Sequence, residues 1–240
     1  MEQQITTLSF FRFTSISGKL WAFWMMQFAH RPLRKVVGQS FYRIMGSGKA
    51  RFNPWPDWGV YALLQTWESE TSARAFFEDS PLFRSYVRRS QEQWTLYLRS
   101  MVSRGAWGGD NPFQKSSALD DQIPYVAVIT RATIKTNLLF RFWKYVPQSQ
   151  NNLWDNPGLL FSKGIGELPI KQMATFSLWK EKAALDQFAY QTRAHAKAIA
   201  MTRQLDWYSE ELFSRFQPYL SVGSWEGQNP LPDLAKPGKR

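Results

Sequence analysis

The stretch GAWGGDNP at residues 105–112 recurs as GSWEGQNP at residues 223–230, 118 positions later, and this repeat decides the fold. Other matches occur in the same order at nearly the same offset: Gly46 and Gly48 with Gly164 and Gly166, RFT at 12–14 with RAT at 131–133, and Trp67 with Trp179. Ordered matches at a near-constant offset indicate an internal duplication. We predict a first repeat over 1–105, a linker over 106–122, a second repeat over 123–231 and a disordered basic tail over 232–240.

Each half has the same order of predicted elements. In the first half strands are predicted over 5–13, 41–45, 58–67 and 93–101, with helices over 18–31 and 69–89. In the second half strands are predicted over 125–132, 158–162, 172–179 and 214–222, with helices over 136–146 and 181–204. Strand–helix–strand–strand–helix–strand is the ferredoxin-like order. The predicted fold is therefore α+β, with tandem ferredoxin-like repeats that form a pseudo-dimeric α/β barrel in one chain.

The composition narrows the function classes. Aromatic residues make up 16% of the chain, with 12 Trp and 18 Phe, which suits either a wide apolar cavity or a Trp-rich core. There is no cysteine, which excludes disulfides, zinc ribbons and cysteine-ligated iron. The net charge of +11 is spread over both halves without a dense patch or a nucleic-acid-binding module, so nucleic acid is not expected as a partner.

The same surface charge suits an acidic protein partner or an anionic lipid surface. Residues 1–7 are polar and lack the basic start of a secretory signal. The longest apolar run covers residues 20–29, which is too short to span a bilayer. We therefore expect a cytoplasmic protein that can contact the inner membrane surface peripherally.

The two histidines differ in their predicted surroundings. His195 falls on the apolar stripe of the helix over 181–204, and Phe83 stands at the matching place in the first half. Two interpretations remain open: His195 is an axial ligand to a haem iron, or it is a core histidine bonded to a carbonyl group. His30 closes the aromatic helix before Arg31 and Pro32, where it can satisfy terminal carbonyl groups.

Two other motifs are predicted to be structural. GIGE at residues 164–167 resembles a phosphate loop, but the matching pair Gly46 and Gly48 indicates a turn in both halves. The acidic run DWYSEE at 206–211 suggests acid–base chemistry, yet Ser209 followed by two glutamates is more typical of the first turn of a short helix. No Ser–His–Asp set can be assigned from the sequence.

Several long motifs resemble the spheroidene monooxygenase family of carotenoid biosynthesis. They are TRATIK at 130–135, FSKGIGE at 161–167, ATFSLW at 174–179, HAKAI at 195–199, DWYSEELFSRF at 206–216 and SWEGQNP at 224–230. The likeness runs from about residue 5 to about residue 231 and is strongest in the second half.

The resemblance implies a haem-dependent monooxygenase that oxidises the end of an acyclic carotenoid toward a 2-keto product. It implies a ferredoxin as the electron donor and His195 as the ligand that holds the iron where oxygen is activated. Lys163 and Arg203 are candidates to bind the haem propionates, although a solvated surface position also explains either residue. No distal or other catalytic side chain is assigned.

Three alternatives remain open at this point. The first is a haem enzyme of another reaction type on the same barrel, aldoxime dehydratase-like or peroxide-using. The second is a cofactor-free barrel monooxygenase of the antibiotic-biosynthesis kind. The third is a protein that binds haem or an apolar ligand without turnover.

Overall fold

A computed structural model describes residues 3–49, 53–149, 153–191 and 206–235. The strands are β1 (Ile5–Arg12), β2 (Gln39–Lys49), β3 (Asn53–Trp67), β4 (Glu92–Gly105), β5 (Val126–Ile134), β6 (Leu159–Leu168), β7 (Gln172–Trp179) and β8 (Tyr208–Gly223). The helices are α1 (Ile16–Phe28), α2 (His30–Leu33), α3 (Glu70–Asp79), α4 (Pro81–Arg89), α5 (Leu139–Ser149) and α6 (Lys182–Gln191), with 3-10 turns at Thr136–Leu138 and Pro232–Leu234.

The eight strands close into one antiparallel barrel in the order β1-β3-β2-β6-β7-β5-β8-β4. The predicted α+β barrel is therefore confirmed. The two halves meet where β2 pairs with β6 and where β4 pairs with β8, so neither half leaves a free sheet edge. Within the halves the strand order is β4-β1-β3-β2 and β8-β5-β7-β6.

The glycine pairs were predicted to be turns, and this is wrong. Gly46 and Gly48 lie inside β2, and Gly164 and Gly166 lie inside β6. Gly46 pairs directly with Gly166 across the contact between the halves. Strands that continue through their glycines are longer than the predicted ones, because the barrel needs that length to pair the two halves.

Two helix predictions are also corrected. The helix predicted over 69–89 is two helices, since Ser80 caps α4 by accepting a hydrogen bond from the N–H of Phe83 and Pro81 begins that helix. The acidic run at 206–211 does not start a helix: Tyr208 begins β8, and Ser209 to Glu211 lie within the strand. Pairing with β5 outweighs the local preference of Ser209 for a helix cap.

The barrel interior is filled by aromatic side chains. Phe10, Trp94, Phe161 and Trp225 pack there, and the ring centroids of Trp94 and Phe161 are 5.0 Å apart. Trp107 belongs to the same core although it lies in the predicted linker. The Trp-rich core therefore accounts for part of the aromatic content.

The last described residues, 232–235, are ordered beside β8. Ala235 forms a bridge to Ser221 after the 3-10 turn, where the sequence predicted a disordered tail from residue 232, so that boundary is corrected. Among the helices of the described ranges, none has both the length and the apolar character to cross a bilayer.

Candidate functional site

The outer faces of the two half-sheets are covered differently. In the first half Phe11, Phe13 and Leu63 are buried in one cluster beneath α1, α3 and α4. In the second half Thr130 is exposed, although its strand lies centrally between β7 and β8. Helix α6 packs on one end of this face and α5 on the other, in two separate clusters of described residues. Described side chains leave the strip between these clusters open.

A cavity of about 600 Å³ lies on the outside of the barrel, over the pairing of β2 with β6. Its walls come from α1, the start of β3, α5 and the β6–β7 hairpin. Large apolar side chains dominate these walls: Phe23, Trp24, Trp58, Trp143, Leu168 and Ile170. Trp24 is 58% exposed and Trp58 is 53% exposed. Apolar rings left this open around a concavity are typical of a ligand-binding site.

The floor of this cavity is formed by strand glycines. A Cβ atom built on Gly46 or Gly164 meets no atom within 4 Å, so a side chain there would enter the cavity. Neither glycine has a positive φ, so the backbone does not require glycine. At Gly166, by contrast, a Cβ would lie 2.5 Å from the carbonyl oxygen of Gln172. Glycine within a strand weakens it, and a bare floor is typical of close approach by a ligand.

The β6–β7 hairpin holds one cavity residue in a strained conformation. Ile170 has φ of 72°, and the N–H of Lys171 donates to the carbonyl oxygen of Pro169 across it at 2.8 Å. This γ-turn is rare, and a β-branched residue is poorly suited to it. The indole N–H of Trp143 donates to the carbonyl oxygen of Ile170 at 3.2 Å. The hairpin thus fixes Ile170 in a strained conformation that places its apolar side chain at the cavity rim.

His30 lies in the wall of the same cavity. Its Nδ1 is 3.1 Å from the hydroxyl oxygen of Tyr42. The ring also contacts the backbone carbonyl group of Met26 in the last turn of α1, as the sequence predicted. Burial lowers the pKa of His30 below its ordinary value, and the positive charge of Arg34 lowers it further. A lowered pKa favours the uncharged ring, which suits an apolar wall.

A second, more polar cavity of about 540 Å³ adjoins the first and shares Lys49, Asp57 and Gly164 with it. Lys163 lies in its wall, and its ammonium group contacts the Asp57 carboxylate at 2.7 Å. Ser162 also lines this cavity; it is 7% exposed, and its hydroxyl group has no hydrogen-bond partner. A buried hydroxyl without a partner is costly and is typical of a group that meets a ligand or water.

The repeated GxWxGxNP motif forms the same structure at both ends of the barrel. At one end the guanidinium of Arg12 lies 4.7 Å from the ring centre of Trp225, and Glu92 accepts from the backbone N–H of Gly227. Arg12 and Glu92 form an ion pair of 3.0 Å. Because the constellation occurs in both halves, we assign it to the closure of the barrel ends, although Arg12 and Trp225 also line the second cavity.

At the other end Arg131 pairs with Glu210 and lies 5.6 Å from the ring centre of Trp107. Burial acts to raise the pKa of Glu210, but the N–H groups of Gly109 and Gly108 and the charge of Arg131 together lower it. The acidic run at 206–211 thus contributes a structural carboxylate.

The predicted site residues are only partly brought together. Lys163 lies beside the cavities, whereas His195 and Arg203 lie outside the described residues. Over the ranges that the structure describes, no group of three or more His, Asp or Glu side chains forms a metal site. Gly46, Gly164, Trp58 and Ile170 were not predicted as site residues. For the two glycines, the signal that could have found them is their repetition next to apolar strand residues in both halves.

The spheroidene monooxygenase of Rhodobacter capsulatus is 36% identical to this chain over 231 residues, which cover 95% of each protein. That of Cereibacter sphaeroides is 33% identical over 230 residues, covering 95% of this chain and 71% of the relative. The chain belongs to the spheroidene monooxygenase family. Membership in the spheroidene monooxygenase family makes it a monooxygenase, as the sequence predicted, and removes the alternative of a binder without turnover.

Solved structures similar to this family member share its fold. The crystal structure of an aldoxime dehydratase matches with a TM-score of 0.63 at 9% identity, covering 90% of this chain and 82% of that one. The aldoxime dehydratase OxdRE in complex with butyraldoxime matches with a TM-score of 0.60 at 10% identity, covering 90% of this chain and 80% of that one. At this identity the likeness concerns the fold alone. No protein-family model matches the chain.

Proposed function

We propose that the protein oxidises an acyclic carotenoid of the spheroidene type, or a similarly long apolar molecule, and that the cavity over the β2–β6 pairing binds the end that reacts. The observation that carries the proposal is the glycine-floored cavity with exposed aromatic walls in a member of this family. A volume of about 600 Å³ falls within the usual range of ligand pockets. A long polyene would enter by one end and leave the rest outside.

The walls supply affinity and orientation. Trp24, Trp58 and Phe23 present flat rings, and the centres of the Phe23 and Trp58 rings are 5.3 Å apart. A conjugated chain lying against them would remove both surfaces from water. This burial would stabilise the complex by about 25 cal/mol for each Å² of apolar area. Exclusion of water by the same rings would protect an oxidation step at the floor.

We further propose that the reaction depends on haem, with His195 as the iron ligand and with Lys163 and Arg203 near the propionates. When bound, haem would supply the activation of molecular oxygen. The described residues fit such a group in three respects: the open strip on the second half-sheet, the bare Gly164 between the two cavities and the unpartnered hydroxyl of Ser162. The pairing of Lys163 with Asp57 means that a propionate would have to share this ammonium group.

Two proposals concern the partner and location of the protein. An acidic, ferredoxin-type electron donor suits the net charge of +11 and the exposed Arg84 and Arg88 on α4. The expected location is the cytoplasm, with access to a substrate that dissolves in the membrane.

The halves are proposed to be tandem ferredoxin-like repeats. Support comes from the identical strand order in each half and from the Arg–Glu–Trp constellation that occurs at both ends of the barrel.

The test begins with the purified protein, expressed with haem supplied. We expect a Soret band and oxidation of spheroidene when oxygen and a ferredoxin reducing system are present. His195→Ala should remove the Soret band, whereas His30→Ala, at the other histidine of the chain, should retain haem. Unchanged haem content in His195→Ala would remove the ligand assignment.

Other outcomes separate the alternatives. A colourless protein that still oxidises spheroidene would indicate the cofactor-free mechanism. Turnover with peroxide alone would indicate a peroxide-using enzyme. Absence of spheroidene oxidation by the haem-loaded protein under reducing conditions would overturn the substrate proposal.

A further inference from the structure

Helix α1 presents its apolar side to solvent. The helix packs on the sheet through the buried Gly18 and Ala22 and through the partly buried Trp21, Met25 and Met26. Five further large apolar side chains follow a helical stripe on the opposite side: Ile16, Leu20, Phe23, Trp24 and Phe28, with exposures of 78%, 56%, 45%, 58% and 60%. A surface helix of a water-soluble domain ordinarily has polar side chains on that solvent-facing side. The stripe therefore needs an apolar environment outside the chain.

The apolar surface continues around the mouth of the cavity. Trp58 is in ring contact with Phe23, and the hairpin residues Leu168 and Ile170 are 51% and 45% exposed. On α5 Phe140 is 89% exposed, one turn before the cavity residue Trp143. We call this surface, formed by the α1 stripe, Trp58, Phe140 and the hairpin tip, the apolar rim. Exposed apolar patches of this kind mark interaction surfaces.

The charge of the surrounding sequence has one sign. Residues 3–56 contain eight Lys and Arg residues and no Asp or Glu. Arg31, Arg34 and Lys35, which follow the end of α1, are exposed and take part in none of the ion pairs between described residues. An apolar stripe beside unpaired cations is the pattern of a helix that lies in the interface of an anionic bilayer.

We propose that the apolar rim docks on the surface of an anionic lipid bilayer, with α1 lying in the plane of the interface. Trp24, Phe28 and Leu20 would insert at the level of the headgroups, and Arg31, Arg34 and Lys35 would contact lipid phosphates. The mouth of the cavity then faces the hydrocarbon. Substrate entry from the bilayer rests on the proposed function, whereas the docking itself does not.

The charges argue for lipid over a second copy of this chain. A symmetric dimer through this surface would bring the same cations face to face, and the carboxylates of the cavity wall, Asp57 and Glu167, are already paired with Lys163 and Arg43. Anionic headgroups complement these cations, and the aromatic side chains suit an interface that is partly apolar and partly wet.

The test is sedimentation of the full-length protein with vesicles. We expect binding to vesicles of phosphatidylcholine with phosphatidylglycerol, weaker binding to phosphatidylcholine alone, and weakening with added salt. The double substitution Leu20→Ser with Phe28→Ser should reduce partitioning about tenfold or more, because neither residue lines the cavity but both lie on the stripe. Val87→Ser, at an apolar residue of α4 that is 41% exposed, is the matched control and should bind as the wild type.

The outcomes also separate docking from the proposed activity. With spheroidene dispersed in detergent the double variant should turn over as the wild type, and with spheroidene in anionic vesicles it should be slower. Wild-type protein that stays in the supernatant with both vesicle types overturns the docking, as does equal binding by the double variant. A concentration-dependent dimer that the double variant abolishes would instead assign the surface to a second copy. If spheroidene is not oxidised in either form, the vesicle binding still decides the docking on its own.

Discussion

Phe11 on β1 and Thr130 on β5 lie on equivalent strands and face outward from the barrel, yet one is fully buried and the other is exposed. In the first half three helices cover the outer face, and the side chains beneath them are aromatic or branched. In the second half the described helices cover only the ends of that face. Among the described residues, one half of the duplicated scaffold thus has a fully packed outer face, and the other half has an outer face packed only at its ends.

The largest expected difference between the two outer faces is in the stability lost when a side chain is truncated. Phe11→Ala should lower the free energy of unfolding by about 4 kcal/mol, because it removes a ring from a packed core. Thr130→Ala should change it by about 0.5 kcal/mol or less, because the side chain is exposed. Urea unfolding of the two variants and the wild type measures both values. Equal losses at the two positions would mean that the second face is packed like the first.

The second prediction concerns the ion pairs that close the two barrel ends. Glu210→Gln should lower the free energy of unfolding by about 3 kcal/mol, because the side chain of Arg131 is only 3% exposed and would remain charged without its partner. Glu92→Gln should lower the free energy of unfolding by about 1 kcal/mol, because the side chain of Arg12 is 29% exposed and retains its ion pair with Glu226. Thermal unfolding at neutral pH compares them. A smaller loss for Glu210→Gln than for Glu92→Gln would contradict the assignment.

The pH dependence of stability sharpens the same comparison. The pKa of Glu210 is lowered in the folded state, so its contribution is present above the unfolded pKa of about 4.3. That contribution is lost as the pH falls through the lowered folded value. The wild type should therefore lose stability below about pH 5, and Glu210→Gln should lose less over the same interval. Parallel acid unfolding curves would contradict this prediction.

A smaller effect is expected at the hairpin that borders the cavity. Ile170→Gly relieves the positive φ at the γ-turn, so stability should stay unchanged or rise by about 1 kcal/mol. Leu168→Gly is the control on the same hairpin; it has no such strain and should lower the melting temperature. Destabilisation of similar size in both variants would show that Ile170 is not strained.

The duplication made much of the fold predictable. The repeated GxWxGxNP motif and the paired tryptophans Trp67 and Trp179 located equivalent elements, and the strands found there follow the predicted order. The helix break was also present in the sequence, since Ser80 followed by Pro81 is a helix-start signal. It was missed because the apolar pattern continues across it.

Other features depend on contacts far apart in sequence. Gly46 and Gly164 were interpreted as turns because glycine punctuates strands and turns alike, and only the pairing of β2 with β6 shows that they form a floor. The run that contains Glu210 was interpreted as a helix start because its pairing with β5 is long-range. The role of His195 stays a prediction, since that residue lies outside the described part of the chain.

The most direct test of substrate binding at the glycine floor is a series of substitutions of increasing size at Gly164: Ala, Val and Leu. For each variant the melting temperature and the rate of spheroidene turnover are measured. Because a Cβ there meets no atom within 4 Å, stability should be unchanged or higher by about 0.5 kcal/mol in a strand that prefers side chains. Turnover should fall with each increase in size, by about tenfold or more at Leu, as the floor fills. Full turnover in a stable Gly164→Leu protein would contradict the claim that this glycine floor receives the substrate.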